Sequence, residues 1–250
     1  MSDESPYDAI ARLYDPWSHS VTEDVEFYVE EALASGGPVV ELACGTGRIT
    51  VPIAQAGIGV IGVNASPRML EVARERVQTA GVGDLVDLRE GDLRHPPVPE
   101  RVPLVLIPFR SLLHMTTEAD RARALAAAHE LLLPGGRLAF DVFAPSAEDV
   151  AETHGRWLER EPGIFERADW DQGARTLTLS IRRGEEASTM VLGWLSPVEW
   201  QHLLERAGFE LAHFYGWFDR RPFSGGEDFV FVARRPEDDG EEEEESEADG

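Results

Sequence analysis

Between Val39 and Phe143 the chain repeats one pattern: a short apolar run, a turn rich in glycine, proline or asparagine, and in most cases a helical stretch. Val39–Ala43, Gly59–Val63, Leu85–Arg89, Leu104–Ile107 and Arg137–Phe143 are the runs. Most lack the polar alternation of a strand with one wet face, so they read as strands buried on both sides. The segments between them are helical. Ile49–Ala56 stops at Gly57, and Ser66-Pro67 caps a helix whose Met69, Leu70, Ala73 and Val77 form one apolar stripe. Thr117–Leu133 ends at Pro134-Gly135-Gly136. Strands that alternate with helices in this way predict an α/β fold around a parallel sheet covered on both faces.

Two helices, Tyr7–Tyr14 and Thr22–Leu33, precede the first strand, and Ser35-Gly36-Gly37-Pro38 separates them from it. Beyond Pro145 the texture changes. Trp157–Glu166, Thr176–Arg182 and Met190–Trp194 have strand-like alternation. Ser196-Pro197-Val198-Glu199 opens a helix that runs to Arg206, and Phe209–Tyr215 with Phe229–Ala233 predicts a closing antiparallel pair. The expected organisation is one domain over residues 1–235, with a helical cap (1–34) and a β-rich lid insertion (145–195). An acidic tail, disordered in expectation, follows at 236–250.

The chain carries 47 acidic and 23 basic residues, and every basic residue is arginine. Ten of the acids lie between Glu237 and Gly250, where no cation and no large apolar residue occurs. This balance disfavours nucleic acid or an anionic membrane as partner, because phosphate binding needs clustered positive charge. No apolar run approaches a membrane span and no signal-peptide pattern opens the sequence, so a cytoplasmic monomer or homodimer is expected. Cys44 is the single cysteine, and the histidines other than His114 are scattered without ligand spacing, so no metal site is expected.

Glu41-Leu42-Ala43-Cys44-Gly45-Thr46-Gly47 stands where the first strand meets the next helix, a place where glycines let backbone approach a ligand. As a dinucleotide fingerprint it fails, because Thr50 holds the third glycine position. Together with Gly62–Leu70, Gly91-Asp92-Leu93 and Leu132–Leu138, the segment resembles the ordered motifs of the class I S-adenosylmethionine-dependent methyltransferases. The resemblance spans about Tyr7 to Arg235. It implies a Rossmann-like, doubly wound, mostly parallel sheet with an antiparallel C-terminal strand pair, and S-adenosylmethionine as cofactor. By the same resemblance Glu41, Ala43, Gly45 and Gly47 form the methionine-facing loop, and Asn64, Ala65 and Met69 follow the second strand. Asp92 and Leu93 meet the adenine, while Tyr14 and Phe109 close over the cofactor. Asn64 departs from the usual Asp or Glu that binds the ribose. An amide gives up charge assistance of about 1–2 kcal/mol, which admits a modified S-adenosylmethionine as an alternative cofactor.

Pro108–Met115 follows the fourth strand, at the carboxyl edge where α/β sheets bind ligands. His114 matches a histidine of similar small-molecule N-methyltransferases and is the candidate base, with an ordinary pKa near 6.5. Arg110 is a candidate clamp for an anionic group, and Arg48 stands near the same site. Tyr215 and Trp217, in the aromatic run before the last strand, are candidate acceptor contacts. Trp157, Trp170 and Trp194 belong to the predicted lid and are further candidates to line the pocket. The resulting expectation is methyl transfer to an amine or hydroxyl of a small molecule. A methyltransferase-like protein that binds nucleosides without turnover is the competing reading.

Overall fold

In the computed structural model, which describes residues 5–237, a seven-stranded sheet forms the centre of the molecule. Its strands are β1 (Val39–Leu42), β2 (Val60–Asn64), β3 (Val86–Glu90), β4 (Val102–Ile107), β5 (Leu132–Phe143), β10 (Glu210–Tyr215) and β11 (Asp228–Arg234). Their spatial order is β10-β11-β5-β4-β1-β2-β3. β1 to β5 are parallel, and β11 inserts antiparallel between β5 and β10. The chain winds outward from β1 through β2 and β3, then crosses back to build β4 and β5 on the other side. That reversal opens a crevice at the carboxyl ends of β1 and β4.

The apolar runs serve both faces of the sheet, as their lack of alternation predicts. Val40, Leu42, Val105 and Ile107 face α5 (Glu118–Leu131) and α7 (Pro197–Arg206), in a core that holds Phe140, Trp200 and Phe231. Val39, Leu104 and Leu106 face α2 (Glu23–Ser35) and α3 (Thr50–Gln55), against Phe27 and Tyr28. α4 (Pro67–Ala80) starts on the Ser66 hydroxyl, which accepts the Met69 N–H, and ends at left-handed Gly81.

A second sheet, β6 (Trp157–Glu161), β7 (Ile164–Asp171), β8 (Thr176–Arg183) and β9 (Glu186–Gly193), is an antiparallel meander. It lies within the expected insertion, after α6 (Ala147–Thr153). Its Ile164, Ile181 and Met190 pack on Ile10 and Leu13 of the N-terminal segment, and Leu177 and Leu192 join the main core.

Several boundaries differ from the sequence reading. The single strand expected over Trp157–Glu166 is two strands joined at Pro162-Gly163, where Gly163 takes φ +74° and turns the chain into a hairpin. α6 was not anticipated, although Ser146 caps it by accepting the Asp149 N–H. The first helix is a 3₁₀ turn at Asp8–Ile10 followed by α1 (Ala11–Trp17). α5 stops at Leu131, because Leu132 already pairs with Val102 as part of β5. Of the expected acidic tail, residues 238–250 lie outside the described residues.

Glu41 occupies the α3-facing side of β1 and is 2% exposed. The Thr50 hydroxyl donates to its Oε2 at 2.5 Å. Burial pushes the carboxyl up to about 7, against the pull of the Thr50 bond. A raised pKa means that the folded state favours the neutral acid. The resulting stabilisation is full below the unfolded value of 4.5 and is lost as pH rises through about 7. Glu41→Gln is therefore expected to flatten the fall in stability between pH 5 and 7.5, by about 2–3 kcal/mol relative to wild type. Urea unfolding at a series of pH values measures this, and parallel curves for the two proteins would contradict it.

Candidate functional site

The loop after β1 is built on three left-handed residues within five positions: Ala43 (φ +62°), Gly45 (φ +57°) and Gly47 (φ +78°). The Cys44 N–H bonds the Val63 carbonyl at 3.0 Å, and the Gly47 N–H bonds the Cys44 carbonyl at 2.9 Å. At Gly45 nothing lies within 4 Å of the place a Cβ would take, so this side of the backbone is open. Gly47 packs closely on Ala73 of α4. Ala43 has no such freedom: a left-handed alanine costs roughly 1–2 kcal/mol.

A cavity of about 200 Å³ lies at this loop. Tyr14, Ala43, Gly45, Asn64, Ala65, Met69, Asp92, Leu93 and Phe109 line it, as does His114. Asn64 ends β2. Its Oδ1 accepts the Gly45 N–H at 3.2 Å, and its Nδ2 donates to the Ser66 carbonyl at 3.4 Å. Asp92 is bound by the Arg94 side chain and N–H, which hold its carboxyl below the usual range. Glu41 and Gly47 do not line this cavity: the first lies under the loop with Thr50, and the second braces the loop on α4.

A second cavity of about 460 Å³ adjoins the first. Tyr7, Phe109 and His114 line both, so these three side chains form the partition. Tyr14 and Trp17 meet the Phe109 ring edge to face, at 6.0 and 6.5 Å between centroids. The Tyr7 hydroxyl lies 2.8 Å from His114 Nε2. Burial pushes the imidazole down to about 4, not the 6.5 assumed from sequence, so the ring is neutral through the physiological range.

The second cavity has an apolar wall that includes Trp170, Leu177, Leu179, Met190 and Leu192. Its charged lining is Glu23, Asp24, Asp141, Asp149, Glu166, Glu227 and Asp228, against Arg110 and Arg160. Arg110 is already paired, with Nη2 2.6 Å from Asp228 Oδ1. Arg48 is paired on two sides with Asp24, at 2.5 and 2.8 Å, and its guanidinium stacks on Phe109. Neither arginine near the site is thus unpartnered. Trp217 lines this cavity, whereas Tyr215 packs on Phe27 in the core. Trp170 lines it too and meets Trp194 edge to face, while Trp157 lies on the outer side under Arg182.

Two residues of the site escaped the sequence reading. Tyr7 was read only as the start of a helix, although its seven-residue spacing from Tyr14 marks a shared face. Asp141 is a lone acid in the apolar run Leu138–Phe143, and that isolation is the signal it carries. Its carboxylate accepts the Tyr28 hydroxyl at 2.6 Å, the Phe109 N–H at 2.7 Å and the Arg110 N–H at 3.0 Å. Burial raises it to about 6 in spite of the Tyr28 bond.

The donor set of the first cavity fits a nucleoside with a charged amino-acid arm: an open glycine backbone, a strand-end amide and an acid at the third strand. Asn64 has one oxygen to serve both the Gly45 N–H and a ribose hydroxyl, where a carboxylate has two. Asn64→Asp is accordingly expected to tighten S-adenosylhomocysteine about fivefold to tenfold, by roughly 1 kcal/mol. Titration calorimetry reads this directly, and an unchanged affinity would show that the amide already holds the ribose fully.

A family model described as a methyltransferase domain matches residues 39–136. An uncharacterized methyltransferase of Geobacillus sp. is 29% identical over a 174-residue alignment that covers 63% of this chain and 78% of that protein. Among solved structures, the CcbJ methyltransferase of Streptomyces caelestis is 26% identical, with a TM-score of 0.83 over 94% of this chain and 100% of the other. The S-adenosylmethionine-bound CalS10, an amino pentose methyltransferase of Micromonospora echinaspora, shares the fold at 22% identity, with a TM-score of 0.64 over 90% of this chain and 95% of the other. Matched over residues 39–136 by the domain model, and over nearly its whole length by a solved methyltransferase, the chain is similar to the class I S-adenosylmethionine-dependent methyltransferases.

Proposed function

We propose that this methyltransferase acts on a small-molecule amine held in the second cavity, with residues 145–195 serving as the lid over it. The observation that carries this reading is the charge of the cavity: seven carboxylic residues line it against two arginines. When bound in the first cavity, S-adenosylmethionine supplies a sulfonium methyl as the electrophile. As the methyl moves, positive charge leaves sulfur and arrives on the acceptor nitrogen. Carboxylates around the nitrogen stabilise that charge where it develops, which lowers the barrier. A hydroxyl acceptor gains nothing from the same surroundings. Its oxyanion is repelled by the acids, and an imidazole near 4 is too weak to make it.

Burial also changes the part assigned to His114. A base this weak does not take the proton of an ammonium; the acceptor reacts as its free-amine fraction and leaves as the methylated ammonium. His114 and Tyr7, bonded to each other across the partition, orient the amine toward the first cavity. Tyr14 and Phe109 shut water from the same point. Glu166, which accepts from the Trp17 indole N–H at 3.1 Å, ties the N-terminal helix to the lid sheet over the acceptor.

The test is incubation with S-adenosylmethionine and a panel of amines, phenols and carboxylic acids, read by mass spectrometry. Methylation confined to amines is expected; transfer to phenols or acids alone would overturn the reading, and tight cofactor binding without any transfer would favour the non-catalytic alternative. With an accepted amine, kcat/KM is expected to rise with pH toward the pKa of that amine, with no inflection near 6.5. His114→Ala is expected to lower kcat by about 10- to 100-fold while preserving the shape of that profile. Loss of an acid limb in the variant would instead restore His114 as a base.

A further inference from the structure

Phe109 (φ +55°) and Arg110 (φ +59°) are consecutive left-handed residues, and neither is glycine. Such a pair persists only where its surroundings over-determine it. Both of its N–H groups end on one carboxylate, with Phe109 N–H on Oδ1 of Asp141 and Arg110 N–H on Oδ2. The last paired residues of β4 and β5 are Ile107 and Phe140, so Asp141 stands one step beyond the ladder, level with the turn it holds. Tyr28 fixes the carboxylate from α2 by donating to Oδ1. The turn in turn fixes the Phe109 ring, which lines both cavities, and the Arg110 guanidinium, which pairs with Asp228 and lies 4.7 Å from the Phe143 centroid.

We infer that Asp141 is a positioning residue for methyl transfer: by accepting the two N–H groups of a strained turn, it holds the partition that aligns acceptor and cofactor. It acts through Phe109 and does not need to touch the acceptor. The inference rests on the methyltransferase assignment. Its kinetic arm also rests on the amine reading, and its exchange arm does not.

Asp141→Asn tests it. The amide keeps the shape and one oxygen for Tyr28 and Phe109, but puts either a donor against the Arg110 N–H or no acceptor there at all. The expected result is a fall in kcat of about 100-fold, with the KM of the amine and the affinity for S-adenosylhomocysteine changed less than about threefold. Hydrogen–deuterium exchange is expected to quicken at Phe109 and Arg110, a readout that needs no acceptor and stands if no amine proves to be a substrate. In an Arg110→Gly background one of the two left-handed positions carries no strain, so the turn depends less on the carboxylate and the same substitution is expected to cost about tenfold less in kcat. That background also provides a folded protein if Asp141→Asn alone does not fold. A variant that raises KM with kcat intact, costs as much beside Gly as beside Arg at position 110, and leaves exchange unchanged would show a carboxylate that binds the acceptor directly and would overturn the inference.

Discussion

The reversal of strand order at β1 is the constraint from which the site follows. A parallel sheet buried on both faces has no free surface for a ligand, because helices cover each side. Only its edges remain, and at the carboxyl edge β1 and β4 send their chains in opposite directions. Each exit has to turn within a few residues, and each does so in the left-handed region: Ala43, Gly45 and Gly47 after β1, Phe109 and Arg110 after β4. The first turn opens backbone toward the first cavity. The second places an aromatic ring between that cavity and the next. Strain in the backbone and position of the two cavities thus have one origin.

The absence of lysine and the excess of acid act on this frame in a specific way. The two buried acids of α2 itself are reached by arginines: Arg48 meets Asp24, while Arg137 and Arg220 converge on Glu31. Such pairs are held by forked donors and are costly to break once desolvated. Arg48 and Arg110, the two arginines expected beside the site, are both paired, with Asp24 and Asp228. They leave a large cavity whose charged lining is mainly carboxylate beside an apolar wall. A surface acid in excess solubilises; the same acid at the wall of a cavity selects charge.

The strands were legible because burial on both faces leaves continuous apolar runs, and the glycine loop because only certain residues turn so tightly. That most of the expected cofactor residues line one cavity has a related reason: they stand at strand ends whose place follows from topology. What could not be read depends on partners far along the chain. Asp141 meets residues 31, 32 and 113 positions away. His114 owes its depressed pKa to burial in which Tyr7, 107 positions earlier, takes part. Glu41 stands in a motif position, yet its side chain points to α3, a matter of strand parity that the motif does not state. The Pro162-Gly163 hairpin is different. Its signal was local and was outweighed by alternation on both sides of it.

Taken together, these features make the two cavities electrically unlike. The first cavity has one acid, Asp92, paired with Arg94, whereas the adjoining one has seven, of which Asp24 and Asp228 are paired with Arg48 and Arg110. In the proposed reaction, a methyl group that crosses the partition carries positive charge from the first to the second. On that reading the field of the fold runs along the reaction, and the partition keeps water from screening it. This ties the aromatic seal of Tyr14, Trp17 and Phe109 to the acidity of the acceptor wall: either one alone, a dry neutral cavity or a wet acidic one, would favour the transfer less. A neutral His114 agrees with the proposed reaction: a cationic imidazole at the partition would oppose the arriving charge, and burial pushes the ring down to about 4.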